Sequence, residues 1–506
     1  MFEPLPTPQE MAAWDRAAVQ LGMPELLLME HAGRAAAQVL REGCCSLQGS
    51  RVLLLMGAGN NGGDAACMAR HLFDAGAQVL VVHTRPLSRY TGVSGQHLRL
   101  ARRCGVKFAP ADRWPDRLDD RWRHPDILVD GLLGTGFSGH LRERERHLVE
   151  TVNRFHREGC FVLSLDIPSG LDGLSGRPRP VAVEADITVT FAAAKLGLVL
   201  PEAAPYVGTL HVCDIAMPLR VREDAPCSCR LLVPSILDHL PRPQQDWHKG
   251  KAGHVLVVGG SEGLAGAPQL AARGALRAGA GLVTVAAPAL CIRDGAGMPD
   301  IMTHALEGGW GMDTEILNSA LARADALVIG PGMGRTPEAR QTLKALLGRE
   351  ARLPSVIDAD ALALLAAHPE LLRLVQHQDI LTPHPGEAGM LLGMSGAEVQ
   401  ADRLAALSKL TALAPCVWVL KGAGSLIRRA DGPVSLCPLA APNLAVGGSG
   451  DVLAGSLAAL LAQGVDAEMA ACLGVYRHAR AGQIVAGAFP RRGNSATEIA
   501  DALPGV

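Results

Sequence analysis

A repeated succession of short apolar runs, each ending in Gly, Pro or Asp and followed by a helical stretch, constrains this chain more than any other feature. RVLLLM at 51–56 is such a run, and it leads into GAGNNGGDAAC. In the stretch behind it, Ala65, Met68, Ala69 and Leu72 fall on one face at helical spacing. QVLVVHT, DILVDGLL, CFVLSLDI and ADITVTF are further strand candidates, and QEMAAWDRAAVQ and PELLLMEHAGRAAAQVL are helical patterns ahead of the series. Strand runs separated by helices predict a mostly parallel, doubly wound α/β sheet. Such a sheet places ligands at the carboxyl ends of its strands.

The pattern pauses near residue 220, and LDHLPRPQQDW reads as a linker or domain edge because of its close prolines and few apolar anchors. A second α/β series follows in HVLVVGG, GLVTVAAP, ALVIGPG, SVIDAD, DILTPH and CVWVLKG. With 506 residues, two domains are expected, over 1–222 and 228–506. Only 3% of the chain is aromatic, so both cores must be aliphatic. A net charge of −2 gives no general handle for nucleic acid, and RERERH at 142–147 reads as a solvated helix face. The twelve cysteines, including the adjacent Cys44 and Cys45, form no CxxC pair, which argues against a zinc knuckle or a disulfide framework. MFEPLPTPQEM lacks the pattern of a secretion signal, and no apolar run reaches about 18 residues. A cytoplasmic protein with no membrane partner is expected, and the many helix faces and strand edges suggest a homo-oligomer.

Gly57, Gly59 and Gly62 satisfy GxGxxG, a loop that binds phosphate through free N–H groups at a helix start. Asp64 conflicts with that role, and VLVVHTRP lacks the acid expected after the next strand, so ordinary dehydrogenase chemistry is disfavoured. Asn60, Asn61 and Asp64, with Asp130 in DGLLGTGFSGH and Asp166 and Ser169 in SLDIPSGLDG, offer oxygen atoms suited to a hard cation. The same residues could equally be separate turn and cap motifs.

LLLMEHAGRAA, GAGNNGGD, DGLLGTGFSG, LDIPSGLDG and ADITVTFAAAKLGL, in this order over residues 10–220, resemble the NAD(P)H-hydrate epimerase module, a Rossmann-like domain. The resemblance implies that Asn60, Asn61, Gly62, Gly63 and Asp64 line the hydrated cofactor. It implies the same for Gly134, Thr135, Gly136, Phe137, Ser138, Gly139 and His140. It assigns Asn61, Asp130 and Ser169 to a potassium ion, and Asp166 to acid/base catalysis with substrate contact. The family's usual NNGGDG is NNGGDA here, so Ala65 could restrict approach to the ligand. Lys195 reads either as a phosphate contact or as a stem on a surface turn.

In the second half, PNLAVGGSGDVLAGSL places Gly447, Gly448 and Gly450 before a helix with Asp451 at its start. Glycines permit close approach to phosphate, helix N–H groups face developing negative charge, and Asp451 could deprotonate an attacking hydroxyl. A glycine-rich turn with an Asp cap is the alternative. His384, Glu387, Lys421 and Gly332 stand at other strand ends, and Gly266 and Ala267 lead into another helix.

HKGKAGHVLVVGG, GLVTVAAP, VIGPGMG, VIDADAL, LTPHPGEAG, VLKGAGS and NLAVGGSGD, over about 228–506, resemble the ADP/ATP-dependent NAD(P)H-hydrate dehydratase module, whose fold is ribokinase-like. The resemblance implies substrate contact at Ala267, Gly332, His384 and Asp451, and adenine-nucleotide contact at Lys421, Gly422, Ala423, Gly424, Ser425 and Gly450. It makes Asp451 the catalytic base, ADP the expected phosphoryl donor with ATP possible, and Mg2+ its companion. SEGLAGAPQL lacks the family's usual aromatic, and CIRDGAGMPDIM is a glycine-rich replacement. The expected activity is repair of hydrated NADH or NADPH by epimerisation at C6 and ADP-driven dehydration. A small-molecule kinase fused to an inactive nucleotide-binding module and a non-enzymatic nucleotide sensor are the competing readings.

Overall fold

A computed structural model describes residues 1–43, 47–293, 299–311 and 314–506. Cys44, Cys45 and residues 294–298 of CIRDGAGMPDIM lie outside the described residues. The chain divides into one unit of Glu3–Arg230 and another of Met1–Phe2 with Leu231–Val506. Against the expected spans, residues 223–230 therefore go with the first unit, and the first two residues go with the second.

The strands are β1 (Phe2–Pro4), β2 (Arg51–Met56), β3 (Gln78–His83), β4 (Lys107–Pro110), β5 (Ile127–Gly131), β6 (Phe161–Leu165), β7 (Ile187–Phe191), β8 (Thr209–Cys213) and β9 (Cys229–Leu232). They continue as β10 (His254–Val258), β11 (Leu282–Pro288), β12 (Met302–Leu306), β13 (Ala326–Ile329), β14 (Ser355–Ile357), β15 (Ile380–Leu381), β16 (Val417–Leu420), β17 (Leu426–Arg429) and β18 (Val434–Leu436).

In the first unit the sheet order is β4-β3-β2-β5-β6-β7-β8, with every pairing parallel. Val52–Met56 and Ile127–Gly131 are wholly buried because helices cover both faces, which explains their unbroken apolar runs. The order reverses direction between β2 and β5, and that switch point opens a crevice at the strand ends. The helix Asn60–Asp74 leaves β2 there. It packs Ala65, Ala66, Met68, Ala69 and Leu72 into an aliphatic core with Trp14, Leu40 and Val52. At roughly 1.5–3 kcal/mol for each fully buried large apolar side chain, this core fixes the loop that precedes the helix.

The second sheet runs β1-β9-β18-β17-β16-β15-β14-β13-β10-β11-β12. Its centre, from β16 to β12, is parallel, while β16/β17 and β17/β18 are antiparallel. The reversal lies between β10 and β13. Across it a Cβ on Gly259 would stand 2.3 Å from Pro331 O, so glycine is needed for the two strand ends to approach. The helices Gly266–Ala278 and Ser449–Ala462 pack backbone to backbone. A Cβ on Gly455 would stand 1.8 Å from Ala271 O, and one on Gly274 2.3 Å from Val452 O. This close seam aims the start of the second helix at the strand ends. The two units are a Rossmann-like doubly wound sheet and a ribokinase-like α/β domain. Among the described residues no helix is long and apolar enough to cross a membrane.

Candidate functional site

A cavity of about 1030 Å3 opens at the β2/β5 switch point. Asn60, Asn61 and Asp64 line it from one side, Gly134, Thr135, Gly136 and Phe137 from another, and Asp166 and Lys195 from the sheet. Asp166 follows β6 with φ +62°, a left-handed conformation that non-glycine residues rarely adopt. Its carboxylate accepts hydrogen bonds from Thr135 N (2.9 Å) and Thr135 Oγ1 (3.0 Å) and lies 2.8 Å from Lys195 Nζ. Burial opposes its charge, but Lys195 and Thr135 outweigh burial and hold the carboxyl below the ordinary aspartate range.

Lys195 is therefore not on a surface turn. It is 1% exposed, and its ammonium donates to Thr190 Oγ1 (2.7 Å) and Phe191 O (2.9 Å) as well as pairing with Asp166. This role carries no sequence signal, because the six residues from Thr190 to Lys195 look like an ordinary strand exit. RERERH also departs from a purely solvated face, since Arg142, Arg144 and Glu145 line the cavity. Asp15, from the helix Pro8–Gln20, lines it too and carried no sequence signal.

Asn61, Asp130 and Ser169 come together below this cavity. Ser169 Oγ donates to Asp130 Oδ1 (2.6 Å) and accepts from Leu133 N (2.9 Å), while Asn61 Nδ2 donates to the carbonyls of Leu133 (2.8 Å) and Leu165 (3.1 Å). Asp130 is wholly buried. Its oxygens also accept from Ser169 N (2.8 Å), Ser164 Oγ (3.0 Å) and Leu132 N (3.2 Å), and burial raises its carboxyl despite these donors. Asn61 Oδ1 is buried with no hydrogen-bond partner among the described residues. That orphaned acceptor, beside a buried carboxylate, fits a cation held by oxygen atoms.

A second group of ligand-type side chains, Glu30, Cys67 and His71, lies between the helices Glu25–Gly43 and Asn60–Asp74. Its carboxylate is already taken by Arg70 (2.5 Å) and His71 (2.9 Å), which hold Glu30 near a pKa of about 2 against the effect of burial. With one carboxylate, a thiol and an imidazole, this cluster suits no oxygen-seeking ion such as Mg2+.

Ala65 turns away from the cavity. It is fully buried, and its methyl lies 2.6 Å from the place a Cβ on Gly131 would take. The alanine is thus accommodated by a glycine at the end of β5. Ala65→Gly is expected to leave turnover at this cavity within about twofold. It should cost about 0.5–1 kcal/mol of stability as a helix-interior glycine, a loss read by thermal unfolding beside the activity assay.

In the second unit the helix Ser449–Ala462 starts over the strand ends with Asp451 in its first turn. Lys421 Nζ lies 2.7 Å from Asp358 Oδ1 and 3.7 Å from Glu387 Oε2. A Cβ on Gly450 would stand 3.3 Å from the same ammonium. Burial, and then the neighbouring Asp358 charge, raise Asp451 to about 7, and burial raises Glu387 to about 7. Asp358, within VIDADAL, was not singled out from the sequence. An acid in a strand-end turn carries no signal of its own there.

The 421–425 loop is held by Arg403, whose guanidinium donates to Ala423 O (2.5 Å), Gly424 O (2.9 Å) and Leu420 O (3.0 Å). Ser425 Oγ donates to Gly422 O (3.0 Å). Gly332, at φ +60°, presses against the helix that carries Ala267: a Cβ there would stand 3.2 Å from Ala267 Cβ. His384 Nδ1 accepts from Gly386 N (2.9 Å) and caps the helix Pro385–Leu392. Burial, with Lys421 nearby, lowers its pKa and favours the neutral ring.

The two sites match two family models in chain order. Residues 25–197 match the YjeF-related protein N-terminus, and 255–505 match NAD(P)H-hydrate dehydratase. Over 99% of its length the chain is 38% identical to the bifunctional NAD(P)H-hydrate repair enzyme of Moorella thermoacetica, covering 96% of that protein. It is 37% identical to the enzyme of the same name from Coxiella burnetii, over 96% of this chain and 95% of that one. For the Escherichia coli enzyme the identity is 34%, with 96% and 90% covered. With both modules present, in one order and at near full length in each comparison, the chain belongs to the family of bifunctional NAD(P)H-hydrate repair enzymes.

Proposed function

We propose that the two sites act in turn on one damaged metabolite, NADH or NADPH hydrated at C6 of the nicotinamide ring. The chain is a bifunctional isomerase and lyase. Its first unit epimerises C6, and its second dehydrates the S epimer at the expense of ADP. The observation that carries this reading is a lysine gathered with acids at the strand ends of each unit: the buried Lys195 against Asp166, and the half-buried Lys421 against Asp358 and Glu387, close enough to Asp451 to influence its acidity.

In the second site, Asp451 takes the proton of the C6 hydroxyl as that oxygen attacks the terminal phosphoryl group of ADP. The C6–O bond then breaks with its electron pair leaving on phosphate. The ring-nitrogen lone pair assists, and loss of a C5 proton restores the C5=C6 bond. The products are NAD(P)H, AMP and phosphate. Lys421 and the N–H groups around Gly450 bind phosphate oxygens, and Arg403 keeps the 421–425 loop in shape for the nucleotide. Ala267, Gly332 and His384 contact the hydrate, and the carboxylates of Asp358 and Glu387 are the oxygen donors that would hold Mg2+, whose chemistry there would be to neutralise phosphate charge. In the first site, Asn61, Asp130 and Ser169 are the residues that would hold K+, whose chemistry there is to fix three loops around the substrate. Residues 134–140, including Ser138, Gly139 and His140, complete the hydrate's enclosure.

Purified protein with K+ and no nucleotide should interconvert the two C6 epimers. With ADP and Mg2+ it should convert the S hydrate to NAD(P)H with one AMP and one phosphate for each turnover. Chromatography of the separate epimers tests both. A folded protein that does neither overturns the proposal.

A further inference from the structure

The epimerase cavity holds a second acid whose surroundings are opposite to those of Asp166. Asp64 stands in the first two turns of the helix Asn60–Asp74 and lines the same cavity. It is 9% exposed and has no hydrogen-bond or ion-pair partner among the described residues. The atoms that satisfy Asp166, Thr135 N and Oγ1 and Lys195 Nζ, are all spent on Asp166. A buried carboxylate without a partner is too costly to keep charged. The charged groups facing Asp64 reinforce this: Asp166 and Asp15 both oppose a negative charge there, and Lys195 only partly offsets them. Burial first, and then these two acids, push the Asp64 carboxyl well above the ordinary range.

Resting on the epimerase reading above, we propose that Asp64 is the general acid of the epimerisation, the neutral counterpart of the ionised Asp166 across one cavity. Inversion at C6 needs such a pair. Asp166 takes the C6 hydroxyl proton, and the O–H electrons form C6=O. The C6–N1 bond breaks with its pair moving onto nitrogen, which takes the proton of Asp64. After a half-turn about C5–C6, N1 attacks the other face of the aldehyde. Nitrogen returns its proton to Asp64 and the new oxyanion takes one from Asp166, so the enzyme ends as it began with no oxidant or co-reactant. Inversion through C–O cleavage uses the same pair, with Asp64 protonating the departing hydroxyl and Asp166 deprotonating the water that returns, after which proton exchange with solvent water restores Asp64 to the acid and Asp166 to the carboxylate. A purely structural carboxyl at this position would call for protein partners that Asp64 lacks among the described residues.

The test is Asp64→Asn in the full-length chain, assayed for epimerisation, for binding of the R hydrate and for dehydration of the S hydrate. Asparagine keeps the shape and the hydrogen-bonding capacity but cannot deliver the proton. Epimerisation should fall about 10²–10⁴-fold. Hydrate binding, measured calorimetrically, and ADP-driven dehydration should each stay within about threefold. A second variant, Asp64→Ala, should regain at least about tenfold of its lost epimerisation on addition of acetate buffer at constant pH, which a structural role would not produce. Wild-type epimerisation in either asparagine or alanine variant overturns the proposal, as does an epimerisation loss matched by an equal loss of binding with no acetate rescue. Failure of the wild-type chain to epimerise would instead reject the functional reading itself, which separates the two outcomes.

Discussion

Asp451→Asn is expected to lower ADP-driven dehydration by about 10²–10⁴-fold while leaving nucleotide affinity and epimerisation close to wild type. The reason is local. Asp451 sits at the start of the helix Ser449–Ala462, where N–H groups are free to bind phosphate, and asparagine preserves the size of the side chain. What it removes is the base. Burial and the nearby Asp358 raise Asp451 to about 7, so the fraction able to accept the hydroxyl proton grows as pH rises through that value. Dehydration by the wild-type chain should therefore climb about tenfold per pH unit below about 7 and level off above it. Glu387 titrates near the same value, so the limb belongs to the acidic group as a whole. Nucleotide binding followed by fluorescence or calorimetry, with turnover measured across pH, checks both parts. Retention of wild-type turnover in Asp451→Asn would remove Asp451 as the base.

The parts of this arrangement that could be read from the sequence are those whose physics is local. An apolar run ending in glycine predicts a buried parallel strand and a turn, and β2, β3, β5, β6, β7, β10, β11, β13, β14, β15 and β16 all appear where such runs stand. β1, β4, β8, β9, β12, β17 and β18 did not stand out. Polar residues interrupt three of them: Lys107 in β4, Thr303 and His304 in β12, and Arg428 and Arg429 in β17. The gathering of Asn61, Asp130 and Ser169 followed from their places at the ends of adjacent strands. The pairing of Asp166 with Lys195 did not, because it depends on Asp166 adopting a positive φ and on Lys195 turning inward, where Thr190 and the carbonyl of Phe191 hold its ammonium. Asp358 beside Lys421 and Arg403 beneath the 421–425 loop are likewise contacts between distant residues, and nothing at either position alone announces its partner. Ala65 is the reverse case. A departure that looked functional is a packing exchange with Gly131, visible only once β5 lies beside the helix.

Lys195→Met should have the second large effect, and it separates stability from chemistry. The Lys195 side chain is buried, and its ammonium ties Asp166, Thr190 and the carbonyl of Phe191 together. Removing one member of a buried ion pair leaves the other uncompensated, at a cost of about 3–5 kcal/mol. Asp166 can escape part of that cost by taking up a proton, since burial already favours the neutral form and Lys195 is the main influence opposing it. In the wild-type chain the depressed Asp166 contributes stability that is complete above the ordinary aspartate pKa and is lost as pH falls through its lowered folded value. In Lys195→Met the sign reverses. A raised Asp166 favours the folded state at low pH, and that contribution disappears as pH climbs through the raised value. The variant should thus be less stable than wild type by a margin that widens from acid to neutral pH, and denaturant unfolding at several pH values measures it. Epimerisation should fall at least about 10²-fold at neutral pH and recover in part as pH rises and Asp166 ionises. The second unit carries its own core and site, so dehydration of the S hydrate should persist. A stability loss that is the same at every pH, with epimerisation unchanged, would show that Lys195 only fills space. Lys195→Arg offers the complementary reading: it restores the charge but not the geometry, so Asp166 should stay ionised while turnover remains low.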